Sequence, residues 1–195
     1  MLIRSAQLSD LSACLNLDPN SQTDHVWQMD AREEADGRVV RFHTVRLPRV
    51  MRVAYPRQRD DLLLCWQNGS TVLVASDRRP RPPAQGEATP GQGGELPQMF
   101  GYCQLDPVPW QQTGWISHLV VDRRYRRRGF GTAMLKAAQA WGQQQGLKRL
   151  MSAVQTKNYP GISFCEKHGF VFCGFNDHYF VNRDIALFFS KRIRG

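Results

Sequence analysis

The chain has 195 residues, enough for one domain with a hydrophobic core that requires no metal or disulfide staple. Its hydrophobic content of 42% and charged content of 22% exclude wholesale disorder. The 26 Lys and Arg residues exceed the 17 Asp and Glu residues by 9, and 21 of the 26 are arginines. This surplus predicts an anionic partner, such as nucleic acid, a membrane surface or a phosphorylated cofactor.

Targeting and metal-binding signals are missing from the sequence. There is no apolar run of about 18 residues, which argues against a transmembrane helix, and residues 1–7 lack the apolar stretch of a secretory signal. An odd number of cysteines without a Cys-x-x-Cys pair favours reduced thiols and a cytoplasmic location. The five histidines are scattered without metal-ligand spacing, so we expect no metal site.

The first half of the chain predicts short strands and two helices. Alternating β-rich runs on either side of Asp36-Gly37 indicate a hairpin within an inserted β-rich segment at about residues 24–58. The proline-bracketed tract 47–57 is predicted to be extended or looped. In chain order, the predicted elements are a strand at 2–4, a helix at 6–17, strands at 26–30 and 39–45, a helix at 60–67 and a strand at 71–75.

Residues 77–98 are rich in proline and glycine and nearly devoid of apolar side chains. Such a segment buries too little surface to offset its ordering entropy, so it predicts a mobile loop within a single domain spanning residues 1–195. A linker between two domains is the alternative. The regular part that follows predicts strands at 99–105 and 115–121, a helix at 132–145, a strand at 149–154, a helix at 158–168, and strands at 170–175 and 184–190.

The strand at 115–121 runs into a turn of arginines and glycines that opens a helix at Thr132. Unpaired N–H groups and the positive dipole end of a helix start attract anions, and glycines allow close backbone approach, so this turn is a candidate phosphate cradle. The dinucleotide fingerprint is not met, because Met134 stands where a further glycine belongs, and no Walker lysine follows. A merely solvated turn is the alternative.

Two motifs in this half resemble those of a known family. Arg126-x-x-Gly129-x-Gly131 resembles the Arg/Gln-x-x-Gly-x-Gly/Ala signature of the GNAT superfamily of N-acetyltransferases. Residues 158–170 are similar to that family's Asn-x-x-Ala-Ile-x-Phe-Tyr-x-Lys-x-Gly-Phe segment. The resemblance covers about residues 99–190, and residues 150–189 also resemble streptothricin-type acetyltransferases.

The resemblance implies an α/β fold with a central mixed sheet flanked by helices and splayed between its fourth and fifth core strands. Acetyl-CoA, the co-substrate, would lie in the splay, with its pantetheine arm paired to the strand and its pyrophosphate on the N–H groups of residues 127–132. The expected cofactor-binding residues are Leu119, Val120, Val121, Arg126, Arg127, Arg128, Gly129, Phe130, Gly131, Thr132 and Asn158.

The implied reaction is direct attack of an amine on the thioester, with an N–H donor near Val121 for the oxyanion. The family often protonates the leaving thiolate from a tyrosine, but that position holds Cys165, which could be the acid or an ordinary core residue. Tyr159 and Tyr179 are alternative proton donors.

The position of the base is also open. The family often has a carboxylate near Ser117 or His118, and here His118 could relay a proton through water or be a structural histidine. Asp106 and Asp177 are further candidates. Four tryptophans could wall an acceptor pocket or belong to the core, namely Trp27, Trp66, Trp110 and Trp115. Acidic residues of the hairpin could attract a cationic amine or form a solvated tip, namely Glu33, Glu34 and Asp36.

The sequence therefore predicts a cytoplasmic, acetyl-CoA-dependent N-acetyltransferase that acts on a primary amine of a small molecule or peptide. Membrane and nucleic acid are not expected as partners, and a homodimer is left open. A non-catalytic acyl-CoA sensor is one alternative, because Cys165 replaces the usual tyrosine. A basic nucleic-acid-binding module is the other, although the sequence has no recognition motif for it.

Overall fold

The computed structural model describes residues 1–57, 62–77 and 97–193. Within these ranges the chain forms nine strands and four α-helices. The strands are β1 (Leu2–Ser5), β2 (Ser21–Glu34), β3 (Gly37–Val53), β4 (Thr71–Ser76), β5 (Met99–Val108), β6 (Thr113–Val121), β7 (Arg149–Gln155), β8 (Val171–Asn176) and β9 (Ala186–Arg192). The helices are α1 (Leu8–Leu15), α2 (Leu62–Gln67), α3 (Phe130–Gln144) and α4 (Tyr159–Lys167).

Seven of the strands form one mixed sheet in the order β1-β4-β5-β6-β7-β9-β8. Every neighbouring pair is antiparallel except β6 and β7, which are parallel. A parallel pair requires a crossover connection, and α3 supplies it. The mixed α/β sheet with flanking helices confirms the predicted fold class.

Each face of the sheet carries its own core. On one face, α3 buries the apolar stripe that its sequence predicts, with Met134, Leu135, Ala138 and Trp141 packed on the central strands. We call this the α3 face. On the opposite face, here called the α1 face, the buried residues are Leu11, Cys14, Leu17, Leu62, Val72, Val74, Met99, Tyr102 and Val120.

The β2–β3 hairpin is a separate two-stranded sheet, and both strands are longer than predicted. Its ladder jumps from Thr23↔Met51 to His25↔Arg46, which leaves residues 47–50 outside the register. Pro48 lies in this excluded stretch, as expected for a residue that cannot donate to a ladder. The predicted irregularity of the proline tract is therefore local, and the strand resumes up to Val53.

Aromatic packing anchors the hairpin to the α3 face of the large sheet. The Trp27 ring lies 6.0 Å from the ring of Phe172 and 6.2 Å from that of Phe189, and Phe42 lies 5.5 Å from Phe172. The backbone N–H of Trp27 also donates to the carbonyl of Thr156 at 2.9 Å. These contacts hold the hairpin beside α4. The open end of the hairpin, near Ser21 and Val53 and here called the hairpin base, lies near the centre of the sheet.

Residues 78–96, nearly all of the predicted proline- and glycine-rich loop, lie outside the described residues. The flanking strands β4 and β5 are neighbours in the sheet, and Asp77 and Gln98 exchange hydrogen bonds beside them. No described helix is long and apolar enough to cross a membrane. All five cysteines are free thiols.

Candidate active site

The sheet splits between its fourth and fifth strands, β6 and β7. Their parallel ladder ends at Ile116↔Ser152, although both strands continue. On the other edge of β6, the register with β5 skips Ser117, which is therefore the extra residue of a β-bulge. A bulge bends its strand, and this bend begins where β6 leaves β7. The splay predicted between the fourth and fifth core strands is confirmed.

The splay exposes backbone hydrogen-bonding groups of β6. Asp122 N–H donates to the Phe100 carbonyl, so the alternation of an antiparallel ladder directs the groups of His118 and Val120 toward β5 as well. Those of Leu119 and Val121 then point to the opposite edge, into the splay. Because buried backbone groups require partners, this edge suits an extended, amide-bearing ligand.

A cleft of about 290 Å³ occupies the splay and is lined by residues from both faces of the sheet. From the α3 face it is lined by residues of α3, α4 and the turn before α3, which include Tyr125, Arg127, Phe130, Gly131, Phe164 and Cys165. From the base of the hairpin it is lined by Pro19, Ser21, Tyr55, Pro56 and Arg57. Two ligands could thus meet in the splay from opposite sides.

The turn before α3 has the backbone conformation of an anion-binding loop. Gly129 precedes the helix with φ 87°, and no side chain caps the first turn. A Cβ at position 129 would meet no atom within 4 Å, so the positive φ and not close packing favours glycine there. The space beside the start of the helix is open. Gly131 has a different role, since a Cβ there would lie 3.3 Å from the Phe164 ring of α4.

The arginines of this turn divide into two groups. Arg126 is half-buried, with Nε donating to the Val121 carbonyl at 3.0 Å and its Nη2 to the Asp18 carbonyl at 3.2 Å. Burial lowers the pKa of Arg126, and its guanidinium fastens the end of β6 to the segment after α1. Arg124 pairs with Asp122 at 2.9 Å. Arg127 and Arg128 form no ion pair with any described residue.

Asp122 organises the backbone of the turn from a nearly buried position, with 2% of its surface exposed. Its carboxylate accepts from the backbone N–H groups of Arg124 at 2.9 Å and Asp18 at 3.2 Å. Burial alone would raise the pKa of Asp122, but these bonds and the Arg124 guanidinium outweigh it, so the pKa is lowered. The ionised carboxylate is thus part of the folded turn.

Asn158 is the N-cap of α4 and borders the cleft. Its Oδ1 accepts from the Gly161 N–H at 3.1 Å and from the Ser21 hydroxyl at 3.3 Å. Pro160 in the first turn suits a helix start, because proline lacks the N–H that would be unpaired there. The side chain therefore positions the helix, and the hairpin base, at the edge of the splay.

Cys165 lies on the buried side of α4 and contributes to the cleft wall. Burial raises the pKa of the Cys165 thiol to about 12. An ordinary thiol has a pKa of about 8.5, so the Cys165 thiol is a weaker acid than the thiol that would leave an acyl thioester.

His118 is buried on the α1 face, with 6% of its surface exposed. Its Nδ1 lies 2.9 Å from the Tyr55 hydroxyl and 3.5 Å from that of Tyr102. Tyr55 borders the cleft, so it connects the buried imidazole to the splay. Tyr55 was not among the residues predicted from the sequence, because it lies 63 residues from His118 and nothing local marks it.

The remaining candidate acids and bases are not part of the cleft lining. Tyr179 is 39% exposed between β8 and β9 and packs edge-on against Phe188. Tyr159 faces His25 across 5.2 Å, and Asp177 lies beside His178. Asp106 accepts from the Ser70 hydroxyl and from Gln104, which is 3% exposed.

The tryptophans serve different purposes. Trp27 anchors the hairpin, Trp66 packs partly buried against the α1-face core, and Trp110 is 82% exposed. Trp115 contacts Phe188 on the large sheet. The acidic hairpin residues Glu33, Glu34 and Asp36 are all exposed at its tip. Among the described residues, no three metal-ligating side chains come together.

A split mixed sheet, an open backbone edge and a glycine turn at a helix start together define an acyl-CoA-dependent transferase. The model of the Acetyltransferase (GNAT) family matches residues 48–170, and the chain belongs to this family. It is an acetyl-CoA-dependent N-acetyltransferase. No curated protein gives a significant match.

Solved structures share the fold over nearly the whole chain at low sequence identity. A nourseothricin acetyltransferase is 20% identical over 99% of this chain and 98% of its own, with a TM-score of 0.75. A protein from Bacillus anthracis str. Ames, described as a streptothricin acetyltransferase and solved with acetyl coenzyme A, is 18% identical over 98% of both chains, with a TM-score of 0.69. The ribosomal-protein-S18-alanine N-acetyltransferase of Escherichia coli is 17% identical over 100% of this chain and 94% of its own, with a TM-score of 0.58.

Proposed function

We propose that this enzyme transfers the acetyl group of acetyl-CoA to a primary amine by direct attack within the splay. The observation that carries the proposal is the cleft itself, which is lined by residues of both faces of the sheet at the point where β6 leaves β7. A thioester entering from the α3 face and an amine entering from beside the hairpin base would meet there. Holding both reactants in one place supplies much of the catalysis.

The cofactor would bind along β6 and the turn that follows it. The amides of its pantetheine arm pair with the carbonyl of Leu119 and with the N–H of Val121, while the Val121 carbonyl is held by Arg126. The uncapped N–H groups from Arg127 to Thr132 receive the pyrophosphate, with the Arg127 and Arg128 side chains adding charge. Val120, Phe130 and Asn158 border the arm. Arg126 acts by shaping the turn.

The chemical step moves one proton from the amine to the sulfur. The neutral amine attacks the carbonyl carbon, and the N–H of Leu119, which also points into the splay near Val121, stabilises the developing oxyanion. As the C–S bond breaks, Tyr55 gives its hydroxyl proton to the thiolate, while its hydrogen bond to His118 holds the hydroxyl in place. The tyrosinate then takes the proton that the nitrogen loses on forming the amide, so the products are the amide and the free thiol of coenzyme A.

An unbiased screen of primary amines tests this proposal, with release of the coenzyme A thiol as the readout and mass spectrometry to locate the acetyl group. Nourseothricin belongs in the screen, because a similar fold is named for acting on it. We expect an amine-dependent thiol release with the acetyl group on nitrogen. Tight acetyl-CoA binding without turnover on any amine would instead indicate a non-catalytic sensor.

A further inference from the structure

Aromatic side chains cluster beside the cleft, on the face of the large sheet opposite α3. On β9, Leu187 and Phe189 point into the α3-face core, so Phe188 between them points to the other face. The Trp115 and Tyr179 rings lie 5.8 Å and 5.2 Å from that of Phe188, each nearly perpendicular to it. These three half-buried or exposed rings, here called the aromatic floor, lie beside the splay on the side where the acceptor would enter.

Arg57 reaches over this floor. It follows Pro56 at the end of the hairpin and lines the cleft. Its guanidinium carbon lies 5.8 Å from the centroid of the Tyr179 ring and 5.8 Å from that of Phe180. Cation–π contacts with two rings hold a guanidinium in place while leaving N–H donors available to a ligand.

No carboxylate among the described residues neutralises Arg57. In the part of the chain that the structure describes, the lining of the cleft contains arginines but no Asp or Glu. Described carboxylates nearby have other partners: Asp106 bonds to Ser70 and Gln104, Asp184 pairs with Lys157 at 2.6 Å, and Asp177 lies 3.3 Å from His178. Arg126 is held by backbone carbonyls, and Arg127 lies in the turn before α3. Among the described residues, Arg57 is therefore the cation without an ion-pair partner on the acceptor side.

We infer that the acceptor carries an oxyanion, a carboxylate or a phosphate, close to its amine, and that Arg57 binds this group while the aromatic floor holds an apolar part. The inference rests on the proposed amine acetylation and adds the class of acceptor. A forked guanidinium suits either oxyanion, because both present two oxygens at matching spacing.

Matched amines that differ only in charge provide the test. Wild-type enzyme is assayed with L-phenylalanine against L-phenylalaninamide, L-leucine against L-leucinamide, and O-phosphoethanolamine against ethanolamine, with nourseothricin as a cationic comparison. The amides have the less basic amines, so chemical reactivity alone favours them. We expect kcat/KM to favour the anionic member of a pair by about tenfold or more, since a charge-assisted bond is worth that much. The pair with the larger preference for its anionic member then shows whether the acceptor's oxyanion is a carboxylate or a phosphate.

Arg57→Gln is expected to abolish the preference by lowering kcat/KM for the anionic acceptor about tenfold or more, with the KM for acetyl-CoA unchanged. Arg52→Gln, an exposed arginine of the same strand end outside the cleft, is the matched control and should keep both values. A wild-type preference for neutral or cationic amines, or a preference that survives in Arg57→Gln, would overturn the inference while leaving amine acetylation intact. Failure of every amine to release thiol would instead refute the proposed function.

Discussion

The Tyr55 hydroxyl lies 2.9 Å from Nδ1 of His118, joining a residue of the cleft wall to an imidazole that is 6% exposed. If Tyr55 carries the proton to the leaving sulfur, Tyr55→Phe should lower kcat about 100-fold, the usual contribution of a positioned acid or base. The KM for acetyl-CoA should stay the same, because the hydroxyl is used only in the chemical step.

Tyr102→Phe is the matched control for that variant. Its hydroxyl lies 3.5 Å from the same Nδ1, but Tyr102 is fully buried and does not line the cleft. Steady-state kinetics of both variants should show the loss of kcat in Tyr55→Phe alone. Equal losses in the two variants would mean that the hydroxyls only support the imidazole.

Arg126 and Arg127 are neighbours with different tasks, which substitution by glutamine separates. Arg126→Gln removes the bonds to the Val121 and Asp18 carbonyls and should lower the free energy of unfolding by about 1–3 kcal/mol. Arg127→Gln should leave stability within about 0.5 kcal/mol and raise the KM for acetyl-CoA about tenfold. Urea denaturation and kinetics on both variants measure this, and a reversed pattern would exchange the two assignments.

Cys165 should prove dispensable for the chemistry. Its thiol is buried with a pKa raised to about 12, which makes it a poor proton donor to a departing thiolate. Cys165→Ala should keep kcat while costing about 1 kcal/mol of stability for the lost packing. A large fall in kcat with unchanged cofactor affinity would restore the cysteine as the acid.

Asp122 should make the stability of the enzyme depend on pH. Its folded pKa is lowered, so its charge stabilises the protein at pH values above about 3.9, the value for an unfolded chain, and the effect is lost as pH falls through the folded pKa. Asp122→Asn should be less stable than wild type by about 1–2 kcal/mol at pH 7, with a smaller difference in acid. Urea denaturation at pH 7 and in the acid range tests this. A difference that stays constant with pH would show that the charge contributes nothing.

Local patterns predicted most of the helices and strands. Two examples are the apolar stripe of α3, which ends at Trp141, and the glycine turn before this helix. Both depend on residues within a few positions of one another in the sequence. The strands of the hairpin are longer than their apolar runs predict, because they pair with each other and retain β structure through exposed polar residues such as Arg38 and Arg41. An apolar run is therefore a poor measure of the length of such a strand.

The functional side chains were harder to assign, because their roles depend on register and on individual turn angles. Nothing in the run of arginines distinguishes Arg126, which binds backbone carbonyls, from Arg127, which adopts a left-handed φ of 63°. Tyr55 and His118 meet only because the hairpin base crosses the splay. The role inferred for Arg57 depends on its contact with Tyr179, which is more than a hundred positions away in the sequence.

Isothermal titration of acetyl-CoA into wild-type enzyme and Gly129→Glu tests the central claim most directly. A side chain at Gly129 would project into the open space above the start of α3, and a carboxylate there would repel the pyrophosphate. We predict saturable binding by the wild type and its loss in Gly129→Glu, with circular dichroism showing that the variant remains folded. Equal affinity in the two proteins, or no binding by the wild type at millimolar acetyl-CoA, would contradict the account.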